Sequence, residues 1–232
     1  MPKLVSEVKH DLTVIGRVVP RKTVDDLNKI LNYLAVGRWM KDNHYNTKYR
    51  LPCRERIFDL IAKDVANKRV LYMEFGVFDG QGTRYWSNIL RHPGSHLHGF
   101  DSFEGLPELW EGTDRGKGCF STKGATPQID DARVRFFKGW FQDTLPTYKA
   151  PPHDVLIINL DADLYSSTAY VLSCLRDLIV SGAYIYFDEF NHRFHELRAF
   201  DEFIRETGTK FSLVGATKTL EHVAFRSRVT TP

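Results

Sequence analysis

The stretch V-L-I-I-N-L-D-A-D-L-Y-S-S-T (residues 155–168) decides the fold of this chain, and Y-I-Y-F-D-E-F (residues 184–190) repeats its pattern. Each is an apolar run, rich in β-branched or aromatic residues, that ends in acids. Such runs are typical of buried parallel strands. Because open α/β sheets bind ligands beyond the carboxyl ends of their strands, the pattern predicts several carboxylates at a ligand-binding edge. The acids at the two ends are Asp161, Asp163, Asp188 and Glu189.

Clustered carboxylates at one sheet edge indicate a metal site. Left unpaired, the charges repel one another and lose part of their hydration. A hard divalent cation removes this cost, since Mg²⁺ takes carboxylate oxygens as ligands and leaves coordination positions for a substrate. The alternative is that each acid caps a helix or pairs with Arg or Lys. For the set as a whole we favour a metal, with Asp163 either at the ion or capping the next helix.

The composition is that of an ordinary soluble protein. The chain has 232 residues, of which 42% are hydrophobic, and this suits one sizeable α/β domain with a small extension. A net charge of +3, without a basic stripe, argues against nucleic acid. The three widely spaced cysteines predict a reducing, cytoplasmic setting rather than disulfides or zinc. We expect no signal peptide and no membrane segment.

Residues 1–50 are expected to form a helical extension that serves as a lid or an oligomer contact. With Thr23 as the N-cap, a helix would carry a row of apolar side chains on one face. That face must be buried somewhere, so a homodimer or higher homo-oligomer is a hypothesis. The polar stretch at residues 41–50 is either a lid or an ordered loop. The apolar row consists of Leu27, Ile30, Leu31 and Leu34.

Residues 51–232 are expected to form the main domain, in which strands and helices alternate. Helices are predicted at 54–65, 83–90, 167–179 and 195–207, with Gly208 as a C-cap. Strands are predicted at 69–76, 96–101, 133–139, 155–161, 184–188, 211–218 and 222–228. The alternation predicts a doubly wound α/β sheet, and the last two strands predict a terminal antiparallel hairpin. The long segment 102–131 reads as a loop, with room for one short helix.

A glycine-rich turn follows the first of these strands, in M-E-F-G-V-F-D-G-Q-G-T (residues 73–83). Its glycines let the backbone approach a ligand closely. The spacing G-x-x-x-G-x-G differs from the G-x-G-x-x-G of dinucleotide-binding folds, which weakens a nicotinamide interpretation. Asp101 ends the next strand about 25 residues later, where an acid can accept hydrogen bonds from ribose hydroxyls. The simpler interpretation is a turn that only tightens a loop.

Five motifs together resemble the macrocin O-methyltransferase family. They are E-F-G-V-F-D-G, G-F-D-S-F-E-G-L-P-E, G-W-F-Q-D-T-L-P, L-D-A-D-L-Y-S-S-T and F-D-E-F, in that order between about Arg50 and about Phe225. The resemblance implies a Rossmann-like class I methyltransferase fold. It also implies S-adenosylmethionine as the methyl donor, Mg²⁺ as a cofactor, and a sugar or glycoside hydroxyl as the acceptor. Residues 1–50 are not clearly covered by it.

The same resemblance implies roles for individual residues. Those for the amino-acid end of the donor are Glu74, Gly76 and Gly80. Those for the adenosine part are Asp101 at the ribose, Ser102 and Phe103 beside it, and Gly139, Trp140 and Phe141 around the adenine. Those for the metal are Asp161, Asp188 and Glu189, where the family usually has Asp-Asp in place of the last pair.

A sugar hydroxyl is a poor nucleophile, so the reaction needs a base that takes its proton. Asp161 is the first candidate, because it would lie beside both donor and metal. His192 is an alternative, although a partly solvated loop histidine is as good an interpretation, and His195 belongs to the next helix. Two rival functions remain open: a catechol- or phenol-type O-methyltransferase, and a non-catalytic module that binds the cofactor.

Overall fold

The computed structural model describes residues 2–46 and 50–228. Within these residues the helices are α1 (Pro2–Gly16), α2 (Arg21–Asp42), α3 (Arg54–Val65), α4 (Gln81–Ile89), α5 (Phe141–Thr144), α6 (Tyr165–Cys174) and α7 (Glu196–Thr207). The strands are β1 (Val70–Phe75), β2 (His96–Asp101), β3 (Val134–Lys138), β4 (Val155–Leu160), β5 (Tyr184–Phe187), β6 (Lys210–Ala216) and β7 (Val223–Arg228).

The strands form one sheet in the order β3-β2-β1-β4-β5-β7-β6. Strands β1 to β5 pair in parallel, whereas β7 runs antiparallel to both β5 and β6. The chain therefore winds outward from β1 in one direction and then, from β4, in the other. This confirms the predicted doubly wound sheet with a terminal antiparallel hairpin. The reversal leaves a crevice between β1 and β4, the place where such sheets bind ligands.

Helices cover both faces of the sheet, and β1 is buried along its whole length. Its side chains alternate between two apolar clusters, as strand geometry requires. Leu71, Met73 and Phe75 pack on the side of α2, α6 and α7. Val70 and Tyr72 pack on the side of α3 and α4. A strand that is apolar on both faces belongs in the centre of an α/β sheet, which is why the sequence patterns identified the fold.

Two helices, α1 and α2, occupy most of the N-terminal segment, and their details differ from the prediction. Thr23 is not the N-cap, because α2 begins at Arg21 directly after Pro20. The long helix α1 was not predicted separately. The C-terminal half of α2 packs on the domain: Met40 is 2% exposed, and the Trp39 indole Nε1 donates to Asp201 Oδ1 over 2.7 Å. The predicted apolar row lies on the outer part of α2 and is exposed, at Leu27, Ile30, Leu31 and Leu34.

The remaining predicted elements match closely. Helix α3 has the predicted bounds, and Gly208 ends α7 with φ 68° and an N–H bond to Ile204. Helix α6 begins at Tyr165, two residues before the predicted start, and ends at Cys174. Residues 47–49 of the polar stretch lie outside the described residues, so a lid there stays a prediction. None of the described helices is long and apolar enough to cross a membrane.

Candidate functional site

A cavity of ≈ 620 Å³ lies at the carboxyl ends of β1, β2, β4 and β5. It is the crevice that the doubly wound sheet predicts. Three parts of the chain complete it: the glycine-rich turn after β1, the 102–131 loop and the start of α5. The lining residues named in the sequence analysis are Gly76, Asp101, Ser102, Gly139, Trp140, Phe141, Asp161, Asp163, Asp188 and Glu189.

Gly76 allows the two central strands to meet at the floor of this cavity. Its φ is +89°, a left-handed conformation that favours glycine. A Cβ at this position would lie 1.8 Å from the backbone oxygen of Asp161. The Asp161 N–H in turn donates to Phe75 O over 2.9 Å. The carboxylate-bearing end of β4 therefore lies directly against the turn after β1 because residue 76 has no side chain.

Asp101 organises the wall on the other side. One carboxylate oxygen, Oδ2, accepts the backbone N–H groups of Val77 (2.8 Å) and Phe78 (2.9 Å). The other, Oδ1, accepts that of Phe103 over 2.7 Å. These bonds hold the glycine-rich turn against the end of β2. Each carboxylate oxygen has two acceptor sites, so Oδ2 is fully used and Oδ1 can still accept one hydrogen bond from a ligand hydroxyl.

Three predicted donor-binding residues do not line the cavity. Glu74 is 2% exposed, and its carboxylate accepts hydrogen bonds from Thr83 Oγ1 and Asn159 Nδ2 beneath the turn. Burial raises its pKa to about 7. Gly80, the N-cap of α4, packs against Pro127 of the 102–131 loop. Phe103 is fully buried, with its ring centroid 6.2 Å from that of Phe136, and its backbone has φ 59°.

The four strand-end acids share the cavity, and their charges act on one another. Burial, then the neighbouring carboxylates Asp188 and Asp163, raise the pKa of Asp161 well above its ordinary value. Burial and Asp188 likewise raise the pKa of Asp163 to about 7 and that of Glu189 to about 7. This is the repulsion that the sequence predicted for clustered acids.

Asp188 behaves differently, because it alone of the four has close partners of opposite charge. Its Oδ1 accepts from Tyr186 OH (2.7 Å), and it faces His222 Nδ1 (3.1 Å) and Arg54 Nη1 (3.4 Å). Burial raises its pKa, but His222, Tyr186 and Arg54 outweigh burial and leave the pKa below its ordinary value. Asp188 is therefore a stable carboxylate at neutral pH.

A metal site requires that several ligand side chains converge on one point. Within residues 2–46 and 50–228, no three or more His, Cys, Asp or Glu side chains are placed so that they would hold a metal ion together. The donors therefore fit Mg²⁺ in kind but not in their present arrangement. One further acid lies close by: Glu196, with no exposed surface, accepts the Glu189 N–H through Oε2 and leaves Oε1 buried without a hydrogen-bond partner.

The two histidines after β5 lie outside the cavity lining. Burial, His195 and Arg193 lower the pKa of His192 to about 4, so its ring is neutral at pH 7. The ring centroids of His192 and His195 are 4.3 Å apart, and His195 Nε2 lies 3.0 Å from Glu111 O. These histidines hold the 102–131 loop against the start of α7. His192 is not among the residues that line the cavity, and its role as an alternative base stays a prediction.

Several lining residues were not predicted. Phe78 and Phe120 meet at the cavity mouth with ring centroids 6.0 Å apart, and both have positive φ, at 52° and 66°. The guanidinium of Arg115 lies 5.0 Å from the ring centroids of both Trp110 and Phe120. Only the aromatic content of the loop hinted at this arrangement, because no local pattern predicts a positive φ for a phenylalanine.

The chain is similar to known proteins in sequence and in fold. A sequence model of the family Macrocin-O-methyltransferase (TylF) matches residues 52–216. A demethyldecarbamoylnovobiocin O-methyltransferase of Streptomyces niveus is 29% identical over 156 residues, which are 59% of this chain and 58% of that protein. A second relative is the 8-demethyl-8-(2,3-dimethoxy-alpha-L-rhamnosyl)-tetracenomycin-C 4'-O-methyltransferase of Streptomyces olivaceus. It is 32% identical over 137 residues, which are 51% of this chain and 52% of that protein.

These alignments thus span little more than half the length of the curated relatives. Among solved structures, the O-methyltransferase NovP is similar with a TM-score of 0.58 and 25% identity, covering 75% of this chain and 80% of that one. The calicheamicin methyltransferase CalS11, at 20% identity and a TM-score of 0.56, covers 95% of this chain and 91% of that one and supports the fold alone.

Proposed function

This chain belongs to the macrocin O-methyltransferase family, and from that premise we propose that it moves a methyl group from S-adenosylmethionine to a hydroxyl of a sugar or glycoside. The observation that supports the proposal most is the cavity at the carboxyl ends of β1 and β4, where the winding of the sheet changes direction. There the turn at Gly76 and the acid Asp101, suited to a donor, face the carboxylate Asp161, suited to an acceptor. The printed names of two relatives support the acceptor class: one is a 4'-O-methyltransferase of a rhamnosyl-tetracenomycin, and the other is an O-methyltransferase of demethyldecarbamoylnovobiocin.

The donor occupies the side formed by β1 and β2 in this proposal. The backbone at Gly76 admits its amino-acid end, and Asp101 Oδ1 accepts a hydrogen bond from one of its ribose hydroxyls. Gly139, Trp140 and Phe141 flank the adenine, since all three line the cavity. Glu74 and Gly80 act from behind the turn: they fix its shape and do not touch the donor. Phe103 has the same indirect role.

Methyl transfer is an in-line displacement. The acceptor oxygen forms a bond to the methyl carbon while the carbon–sulfur bond breaks, and the sulfonium becomes the neutral thioether of S-adenosylhomocysteine. The hydroxyl proton passes to the carboxylate of Asp161, a residue that lines the cavity and whose backbone carbonyl lies against Gly76. The neighbouring acids that raise the pKa of Asp161 also make it a stronger proton acceptor whenever it is ionised.

We also propose that Mg²⁺ binds at Asp161, Asp188 and Glu189 once their side chains turn towards one another. The support is the charge of the set and its shared cavity. Bound there, the ion would lower the pKa of an acceptor hydroxyl and orient it. Calorimetric titration with MgCl₂ tests this: binding should be retained in Glu189→Asp and lost in Glu189→Gln, whereas equal affinity in both variants would contradict it.

A trideuteromethyl-labelled donor tests the reaction itself. Incubation with a panel of aryl glycosides and catechols, followed by mass spectrometry, should show label on a glycoside hydroxyl. Asp161→Asn should slow this transfer by ~10²–10⁴-fold, the usual contribution of a general base, while the exposed Asp177→Asn leaves it unchanged. Label on catechols alone would favour the phenol-type enzyme, and donor binding without transfer to any acceptor would favour the non-catalytic module.

We further propose that a second copy of the chain covers the apolar row on α2. Leu27, Ile30, Leu31 and Leu34 are between 51% and 65% exposed, and a contiguous apolar face of this kind marks an interaction surface. Light scattering after size exclusion should give a dimer or larger oligomer that dissociates in Ile30→Glu. A monomeric mass for the wild type would contradict this.

A further inference from the structure

Arg54, the first residue of α3, lies between two parts of the site that the chain builds separately. Its Nη1 is 3.4 Å from Asp188 Oδ1 at the end of β5. Its Nη2 donates to Gln81 Oε1 over 3.2 Å, at the start of the helix that follows the glycine-rich turn. The side chain is 25% exposed and that of Asp188 13%, so both are largely shielded from water.

The contact to Gln81 continues into the turn. Gln81 Nε2 donates to Asp79 Oδ2 over 3.0 Å, and the Gln81 backbone N–H donates to Asp79 Oδ1 over 3.3 Å. Arg54, Gln81 and Asp79 thus form a chain of polar contacts from the carboxylate cluster to the segment that ends at Gly80. A guanidinium suits this place, because its planar fork donates in two directions at once.

Arg54 is also a cation that faces the acid cluster in the described arrangement. Burial lowers its pKa, but Asp188, Tyr186 and Asp161 raise it by more, so the guanidinium stays charged. The acids that would turn towards a metal are therefore already partly neutralised by an organic cation. Its other ion-pair partner is Glu55, whose carboxylate lies 3.5 Å from Nε and whose side chain is about half exposed.

We propose that Arg54 is a positioning residue that couples the donor-binding turn to the carboxylate cluster through Gln81 and Asp188. The proposal rests on the proposed function, because its main readout is donor binding. The charge of Arg54 stabilises Asp188, and its second N–H group holds the turn in the shape that admits the donor. These two tasks are separable by mutation, since a lysine keeps the charge and loses the fork.

The test measures the affinity for S-adenosylhomocysteine by calorimetry and the melting temperature for a set of variants. Arg54→Ala should weaken binding about fivefold, the effect of one lost hydrogen bond, and lower Tm by about 5 °C. Gln81→Ala should weaken binding equally with little change in Tm. Arg54→Lys should recover Tm but not affinity. Arg56→Ala is the matched control. Arg56 lies two residues after Arg54 on α3 and forms an exposed ion pair with Asp59, so its loss should change neither the affinity nor Tm.

Two results would overturn the proposal: an Arg54→Ala variant that binds as tightly as Arg56→Ala, or full recovery of affinity in Arg54→Lys. If Arg54→Ala does not fold, the Lys and Gln81 variants decide alone. If the folded wild type binds no S-adenosylhomocysteine, the proposed function fails instead. The double variant Arg54→Ala/Asp188→Asn then still tests the ion pair, because its Tm loss should be smaller than the two single losses combined.

Discussion

Replacing Gly76 by alanine tests whether the close approach of β1 and β4 creates the cavity floor. The new Cβ would lie 1.8 Å from Asp161 O, and real Cβ contacts are almost never under 3.0 Å, so the carbonyl must retreat by more than about 1 Å. That movement breaks the hydrogen bond from Asp161 N to Phe75 O and disturbs a tightly packed core. Overpacking and one lost buried hydrogen bond add to the strain of a positive φ, giving about 3–5 kcal/mol.

Gly118→Ala is the matched control for this experiment. Gly118 also has a positive φ, +80°, but a Cβ there meets nothing within 4 Å. The control therefore carries the backbone strain alone, about 1 kcal/mol. Urea unfolding followed by circular dichroism measures both variants against the wild type. If Gly76→Ala loses unfolding free energy within about 1 kcal/mol of the control, packing between the turn after β1 and the end of β4 does not require this glycine.

The remaining predictions concern stability. Burial lowers the pKa of His98 to about 4, below its ordinary 6.5, and its Nδ1 lies 2.7 Å from Tyr148 OH. Protons therefore bind the unfolded chain more readily, and the stability due to neutral His98 is lost as pH falls from 6.5 to 4. Between these two pH values the free energy of unfolding should fall by about 3 kcal/mol more in the wild type than in His98→Phe. Equal falls in the two proteins would contradict the lowered pKa of His98. Trp39→Phe removes the bond to Asp201 and should cost about 1–2 kcal/mol, against under about 0.5 kcal/mol for the exposed Arg38→Ala. Equal losses in these two variants would mean that α2 is not held by this bond.

The sheet could be predicted from the sequence because the pattern that marks a strand is local and recurs along the chain. Each apolar run that ends in an acid or a glycine marked a strand, and the alternation with helices fixed the winding. The same local signal identified Gly76, Asp101 and Asp161, which lie where strands end. A helix start was harder: Thr23 has the chemistry of an N-cap, yet Pro20 allows α2 to begin at Arg21.

The rest of the site depends on contacts between distant segments, which no local pattern contains. Arg54 and His222 both reach Asp188 from other parts of the chain, 134 residues before it in the case of Arg54. Phe103 illustrates the converse. It follows Asp101 in a family motif and was expected at the donor, but its ring is fully buried near that of Phe136. Sequence proximity to a site residue therefore did not predict the direction of its side chain.

The most direct test of the account is calorimetric titration of the folded wild type and Asp101→Asn with S-adenosylhomocysteine. Asp101 accepts three backbone N–H groups at the cavity wall, and we assign it the ribose as well. We expect micromolar binding by the wild type and at least about tenfold weaker binding by the variant, the effect of losing a charged hydrogen-bond acceptor. No binding by a wild type that melts cooperatively, or equal affinity in the two proteins, would contradict the donor site at this cavity.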